Sequence, residues 1–205
     1  MSNSASKKKT APKDEKSRSV EKNRDTKETK ISLQLNLDGT GQSDISTNIA
    51  FLDHMLELFA KHASIDLTLN AEGDLDHHIT EDVAITLGSA IVDALGEKKG
   101  IRRYGDKSIP MDESLAVCSV DLGGRGYHHI DLQFKSGSIE DVDAENLVHF
   151  FETLAINGKM NLHITVNYGD NEHHKAEAAF KAFARAFKEA IEIIGDEIPS
   201  TKGII

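Results

Sequence analysis

The chain has a single cysteine, no tryptophan, only three prolines and no long apolar run. One thiol, Cys118, excludes an intramolecular disulfide and any zinc site built from two or four cysteines. With aromatics at 5%, a stacking platform for single-stranded nucleic acid is not expected. No apolar stretch approaches the roughly 18 residues that a membrane span needs. The first thirty residues lack large apolar side chains: only Met1, Ala5, Ala11 and Val20 are apolar. Such a segment buries too little surface to offset the ordering of its backbone, so residues 1–25 are expected to be a disordered tail. It has no apolar core of a secretory signal, and its acidic residues argue against a transit peptide. A cytoplasmic protein, with no membrane and no nucleic-acid partner, is the expectation.

Charge divides unevenly. Residues 1–30 carry 10 Lys and Arg against 5 Asp and Glu, whereas residues 31–205 carry 14 against 29. An acidic body is a poor partner for a phosphate backbone and is compatible with cation binding.

What the chain has in excess is histidine, ten in 205 residues. Two doublets share the pattern HHxxE: "DHHITED" (His77, His78, Glu81) and "EHHKAEA" (His173, His174, Glu177). Each follows a short polar turn and opens a segment of helical periodicity, "EDVAITLGSAIVDAL" and "AEAAFKAFARAFKEAIEII". Upstream, "FLDHMLELFAKHASIDLTLN" aligns with "ENLVHFFETLAINGKMNLHITVN", which sets His54 against His149. Runs of β character at 31–36 and 115–122 precede these helices, and 127–134 adds another. The period is too long for a solenoid and suggests two fused copies of a small αβ unit, 26–110 and 111–205.

On a helix each residue advances by about 100°, so i and i+4 share a face and i and i+1 do not. His77 and Glu81 can therefore meet one metal ion while His78 serves another, and His173, Glu177 and His174 divide in the same way. Pseudo-symmetry then pairs His77, Glu81, His174 and one helix histidine at one ion. His173, Glu177, His78 and the other helix histidine meet the second. Three imidazoles and a carboxylate suit Mn, Fe, Co or Zn better than Ca or Mg and leave room for water or substrate. His62, His128, His129 and His163 lack this double support, and Cys118 reads as core. Cationic groups are few, so Arg102, Arg103, Arg125, Lys181, Arg185 and Lys202, with Ser200, are candidates for holding an anion.

The segments "STNIAFLDHMLELFAKH", "DHHITEDVAITLG", "GIRRYG", "PMDESLA", "ENLVHFFETLA", "NLHI", "NEHHKAEAAFKAFARAF" and "STKG" occur in an order that resembles the imidazoleglycerol-phosphate dehydratases. The resemblance runs from about Thr26 to Ile205. It implies an α+β fold of two pseudo-symmetric units, each a four-stranded sheet with helices on one face. It implies a hydro-lyase of histidine biosynthesis that converts imidazole glycerol phosphate to imidazole acetol phosphate. It also implies two Mn²⁺ per active site, at subunit interfaces of a 24-subunit homo-oligomer. By motif, His54, His78, His173 and Glu177 would hold one manganese, and His77, Glu81, His149 and His174 the other. Glu28 in "TKETKI" matches a substrate-contacting acid, with His54, His77, Glu81 and His173 also facing substrate. Arg103, Arg125, Lys181, Ser200 and Lys202 match phosphate-binding positions. The turn "GDLDHH" is shorter than the family's usual GDLxIDDHH, so the loop before the first doublet should be tighter.

The implied chemistry is demanding because the proton to be removed is not beside a carbonyl. The imidazole ring must accept electron density, and a carboxylate must move the proton. Glu28 is the candidate acid/base, with Glu177 second. Two other classes stay open on the residues alone: a metal-storage protein without turnover, and a metal-dependent phosphate-ester hydrolase. The anion-binding candidates beside the histidines disfavour the first. Released phosphate, as against an enolisable ketone, separates the second.

Overall fold

The computed structural model describes residues 18–205. The first unit runs β1 (Ser19–Asp25), β2 (Thr29–Asn36), β3 (Ser43–Ser46), α1 (Ala50–Ala63), β4 (Asp66–Gly73) and α2 (Asp76–Leu95). The second runs β5 (Tyr104–Met111), β6 (Ser114–Asp121), β7 (Tyr127–Asp131), α3 (Ala144–Asn157), β10 (Asn161–Tyr168) and α4 (Glu172–Ala190). A small hairpin, β8 (Ser138–Ile139) and β9 (Val142–Asp143), lies between β7 and α3. The sheet orders are β1-β2-β4-β3 and β5-β6-β10-β7, the same topology twice. In each, one parallel pair, β3 with β4 or β7 with β10, is joined through a helix. The fold is α+β with two four-stranded sheets, in keeping with the sequence reading.

Alternation makes each sheet one-sided. Ile31, Leu33 and Leu35 of β2 and Leu67, Leu69 and Ala71 of β4 are buried, while Ser32, Gln34, Thr68 and Asn70 are exposed. Helix α2 packs on β1, β2 and β4, and α4 packs on β5, β6 and β10. The two units are then joined crosswise, α1 against α4 and α2 against α3. Aromatic rings line the α1–α4 seam, where Phe59 of α1 stacks on Phe183 of α4 at 5.0 Å, and within the second unit Phe151 of α3 meets Phe180 of α4 at 4.5 Å. Each ring is almost wholly buried, which stabilises the fold by about 1.5–3 kcal/mol apiece.

Two local devices set the crossing. The Asp141 carboxylate, in the β8–β9 turn, accepts from the Ala50 and Phe51 amides at 2.7 and 2.9 Å. A side chain of the second unit thus satisfies the free amides at the start of α1. On the other seam, a Cβ at Gly88 of α2 would stand 2.7 Å from the Gly158 nitrogen. Only glycine lets α2 lie this close to the end of α3.

Two boundaries differ from the sequence reading. The tail was expected to stay disordered through residue 25, yet β1 pairs along β2 from Ser19↔Asn36 to Asp25↔Lys30. Its alternate residues Val20, Lys22 and Arg24 lie over α2, where Lys22 meets Asp93 and Arg24 meets the buried Asp82 at 2.8 Å. Ladder hydrogen bonds and ion pairs, not apolar burial, order this strand, and Arg18 adds a 2.6 Å bond to the Ile191 carbonyl. The expectation for residues 1–17 lies outside the described residues. The second unit begins near Tyr104 rather than 111, because β5 pairs with β6 and packs on α4.

Gly88→Ala should cost about 1–3 kcal/mol through overpacking of the α2–α3 seam, read as a lower midpoint in thermal unfolding. Arg24→Ala leaves the buried Asp82 carboxylate one partner short and should cost about 1–3 kcal/mol. Deleting residues 1–25 removes the whole strand and should destabilise the chain further than Arg24→Ala in the same assay.

Candidate metal centre and anion cleft

The crosswise seam gathers the repeat's polar groups into two clusters. On α1 and α4, His54 Nε2 lies 3.3 Å and His173 Nε2 3.1 Å from Glu177 Oε1. On α2 and α3, His149 Nε2 lies 3.4 Å from Glu81 Oε1, and the His77 and His149 rings stack at 5.2 Å. In each triad the three candidate ligand atoms lie within 4.8 Å of one another. The i, i+4 spacing supplies His173 with Glu177 and His77 with Glu81. The facing helix supplies the third residue.

The ring nitrogens that point away from the triads are braced. His77 Nδ1 donates to Asn146 Oδ1 at 2.9 Å, and His173 Nδ1 to Glu140 Oε1 at 3.1 Å. A hydrogen bond at one ring nitrogen fixes the orientation of each imidazole, as it does for a metal-ligating histidine. Glu140 has φ 51° in the tight β8–β9 turn, the same turn whose Asp141 caps α1. Phe51 packs on the His173 ring at 4.9 Å.

His78 and His174 join neither triad. His78 Nδ1 donates to Asp74 at 2.7 Å, which favours the charged ring, and the nearby Glu28 carboxylate acts in the same direction. His174 Nδ1 donates to Glu113 Oε2 at 2.7 Å, which likewise raises its pKa. The Asn171 amide and the His174 ring hold the Glu113 carboxyl far below the usual carboxylate range. Both histidines thus have Nδ1 tied and, one residue around the helix from His77 and His173, present a different face.

Glu177 is the most enclosed member, its side chain 10% exposed against 39% for Glu81. Burial pushes its carboxyl up, but hydrogen bonds from Lys181, His54 and His173 outweigh that and hold it at about 2. Lys181, one turn along α4, bonds to Glu177 Oε2 and lies 3.3 Å from Met111 Sδ.

A separate cleft of about 720 Å³ is lined by Arg103, Tyr104, Gly123, Arg125, Ser200 and Lys202. Arg103 has φ 75°, an unfavourable backbone for a non-glycine residue, and lies over the Tyr104 ring at 4.7 Å. Its guanidinium bonds Asp121 and the Pro199 carbonyl, and the Asp121 bond keeps it firmly charged. Four of the five expected phosphate-binding residues meet in this cleft. Lys181 does not; it lies with the histidine–glutamate triad. Glu28 is exposed in the β1–β2 turn, and its carbonyl accepts from the Asp74 amide at 3.1 Å. Spacing alone did not reveal Asp74, Glu113, Glu140 or Asn146, which hold the histidine rings. Only Asp74, four residues before His78, carries a local sequence signal.

Residues 47–187 match the family model described as imidazoleglycerol-phosphate dehydratase. A dehydratase of that name from Prosthecochloris aestuarii is 52% identical over 197 residues, covering 95% of this chain and 98% of the relative. One from Methanosarcina barkeri is 51% identical, covering 89% and 96%. Among solved structures, the Staphylococcus aureus enzyme superposes with a TM-score of 0.79 at 36% identity, covering 85% of this chain and 99% of its own. The Pyrococcus furiosus enzyme, solved with (S)-C348, gives 0.80 at 36%, covering 90% and 100%. A polar, two-triad site on a twice-repeated sheet and extensive sequence identity agree: this chain belongs to the imidazoleglycerol-phosphate dehydratase family of hydro-lyases.

Proposed function

We propose that the chain dehydrates imidazole glycerol phosphate to imidazole acetol phosphate in histidine biosynthesis, using two Mn²⁺ ions per active site. The observation that carries the reading is the pair of three-residue triads, each with a glutamate and braced imidazoles. The donor set of two imidazoles and one carboxylate suits a borderline first-row ion, and three protein atoms leave positions open. Among the described residues, no helix is long and apolar enough to cross a membrane.

His54, His173 and Glu177 would hold one ion, and His77, Glu81 and His149 the other. His78 and His174 would complete sites on neighbouring copies, so that metal and assembly are linked in a 24-subunit particle. Support for this comes from their tied Nδ1 atoms and their place outside either triad of their own chain.

Bound divalent ions would supply Lewis acidity that favours the electron-rich form of the imidazole, which can expel the hydroxyl on the carbon attached to it. Arg103, Arg125, Ser200 and Lys202 bind and orient the phosphate. Glu28 takes the proton from the neighbouring carbon, which keeps its hydroxyl. The hydroxyl on the ring-attached carbon leaves as water after accepting a proton, and the resulting enol, with its hydroxyl on the neighbouring carbon, rearranges to the ketone of imidazole acetol phosphate. Glu177 is the less suited base because both of its oxygens are engaged. Turnover should yield an enolisable ketone with the phosphate ester intact; inorganic phosphate released at the same rate would refute the dehydratase in favour of an ester hydrolase.

Glu81→Gln and Glu177→Gln keep side-chain size but remove the one anionic ligand of each triad. Each should lower manganese content measured by elemental analysis and reduce turnover by orders of magnitude. His62→Asn should leave metal content unchanged, since its counterpart in the other unit is Asn157. Chelation should shrink the particle in light scattering, because metal that bridges copies stabilises only the assembled state. A particle of unchanged size after complete metal removal would refute the bridging role of His78 and His174.

A further inference from the structure

The two triads are not equivalent, and the difference lies at one position. Alignment of the repeats sets Glu81 against Glu177, and one helical turn further sets Ile85 against Lys181. The Lys181 ammonium bonds to Glu177 Oε2, while Oε1 faces His54 and His173. Met111 Sδ, the other neighbour of Lys181, is a weak acceptor that supplies no charge. Glu177 is thus the anionic partner of Lys181, and that carboxylate is largely enclosed. Glu81 meets His149 and has no Lys or Arg bound to it among the described residues.

We propose that Lys181 makes the two triads unequal cation sites. By sharing Glu177, it weakens the His54–His173–Glu177 triad for a divalent ion, and an anion that draws Lys181 away strengthens it again. The inference rests on the reading above that the triads hold metal. Its physical basis is simple. A carboxylate with one charge that already faces an ammonium has less attraction left for an ion, and the ammonium itself repels that ion. At Glu81 the competitor is replaced by an isoleucine. Lys181 is 18% exposed and sits beside the triad, within reach of an anionic ligand at that site. The substrate named by the family carries a phosphate, an anion suited to this exchange. Once Lys181 turns to such an anion, Glu177 is left to the metal. By reciprocity, metal at this triad then tightens anion binding by the same factor.

The test is a calorimetric titration of Mn²⁺ into the metal-free full chain, with and without inorganic phosphate. The wild-type chain should show two affinity classes about tenfold or more apart, a separation within the range of ordinary coupling energies. Phosphate should tighten the weaker class and leave the stronger one unchanged. Lys181→Met should raise the weaker class toward the stronger and abolish the phosphate effect. Ile85→Lys, which installs the ammonium in the other unit, should weaken the stronger class and provides a second variant if Lys181→Met misfolds. Equal classes in the wild type, or a phosphate effect that survives in Lys181→Met, would overturn the proposal while the metal centre stands. Manganese binding undiminished by both Glu81→Gln and Glu177→Gln would overturn the metal reading and this proposal together.

Discussion

The crosswise packing of α1 on α4 and of α2 on α3 is the constraint on which the site depends. Each repeat supplies its doublet and glutamate on its last helix and one triad histidine, His54 or His149, on its first. Within one unit these two helices do not form a triad. Chemistry arises because the first helix of each unit lies against the last helix of the other. The contacts of Phe59 with Phe183 and Phe187 therefore join the two units along the same helices that carry His54 and Glu177. The close approach at Gly88 and the Asp141 cap on α1 tune the two seams separately. Close packing transmits small shifts, so a methyl group two turns from Glu81 bears on where that carboxylate sits.

Around this frame runs a set of polar braces, three from turns and one, Asn146, from the start of α3. Asp74, Glu113, Glu140 and Asn146 each bind an Nδ1 atom of a doublet histidine. Holding both tautomer and ring angle lowers the entropy lost when a ligand arrives. Glu113 does more: its other oxygen accepts from the Asp170 and Asn171 amides and so fixes the start of α4. The histidine and the helix it opens are positioned by one carboxylate.

The repeat was legible in the sequence because it is written in local spacing. HHxxE fixes a helical face by geometry alone, and a matched upstream histidine fixes the facing helix. The alternation in β2 and the period of α4 were legible for the same reason. What escaped is what depends on distant partners. The edge strand β1 has Val20 as its one apolar residue, so no hydropathy pattern marks it; it is ordered by β2, by Asp82 and by Asp93. The braces Glu113 and Glu140 approach their histidines from 61 and 33 residues away. The assignment of Lys181 to a phosphate position came from the motif, whereas its i, i+4 relation to Glu177 was present in the sequence and pointed to the partner it has.

Duplication followed by divergence explains why the two triads differ in setting while keeping their ligands. The ligand positions answer to one shared geometry, set by two seams of the same kind. The residues one turn beyond answer to different surroundings. Ile85 continues the half-buried face of α2, whereas Lys181 lies beside Met111 of β5, where a long side chain can reach back along α4 to Glu177. Glu81 also remains far more exposed than Glu177. Two sites of equal donor chemistry are thus placed in unequal fields, one open to solvent and free of a bound cation, the other enclosed and already partly neutralised. Such inequality leaves the imidazole–carboxylate sets intact while allowing each to respond differently to charge arriving nearby.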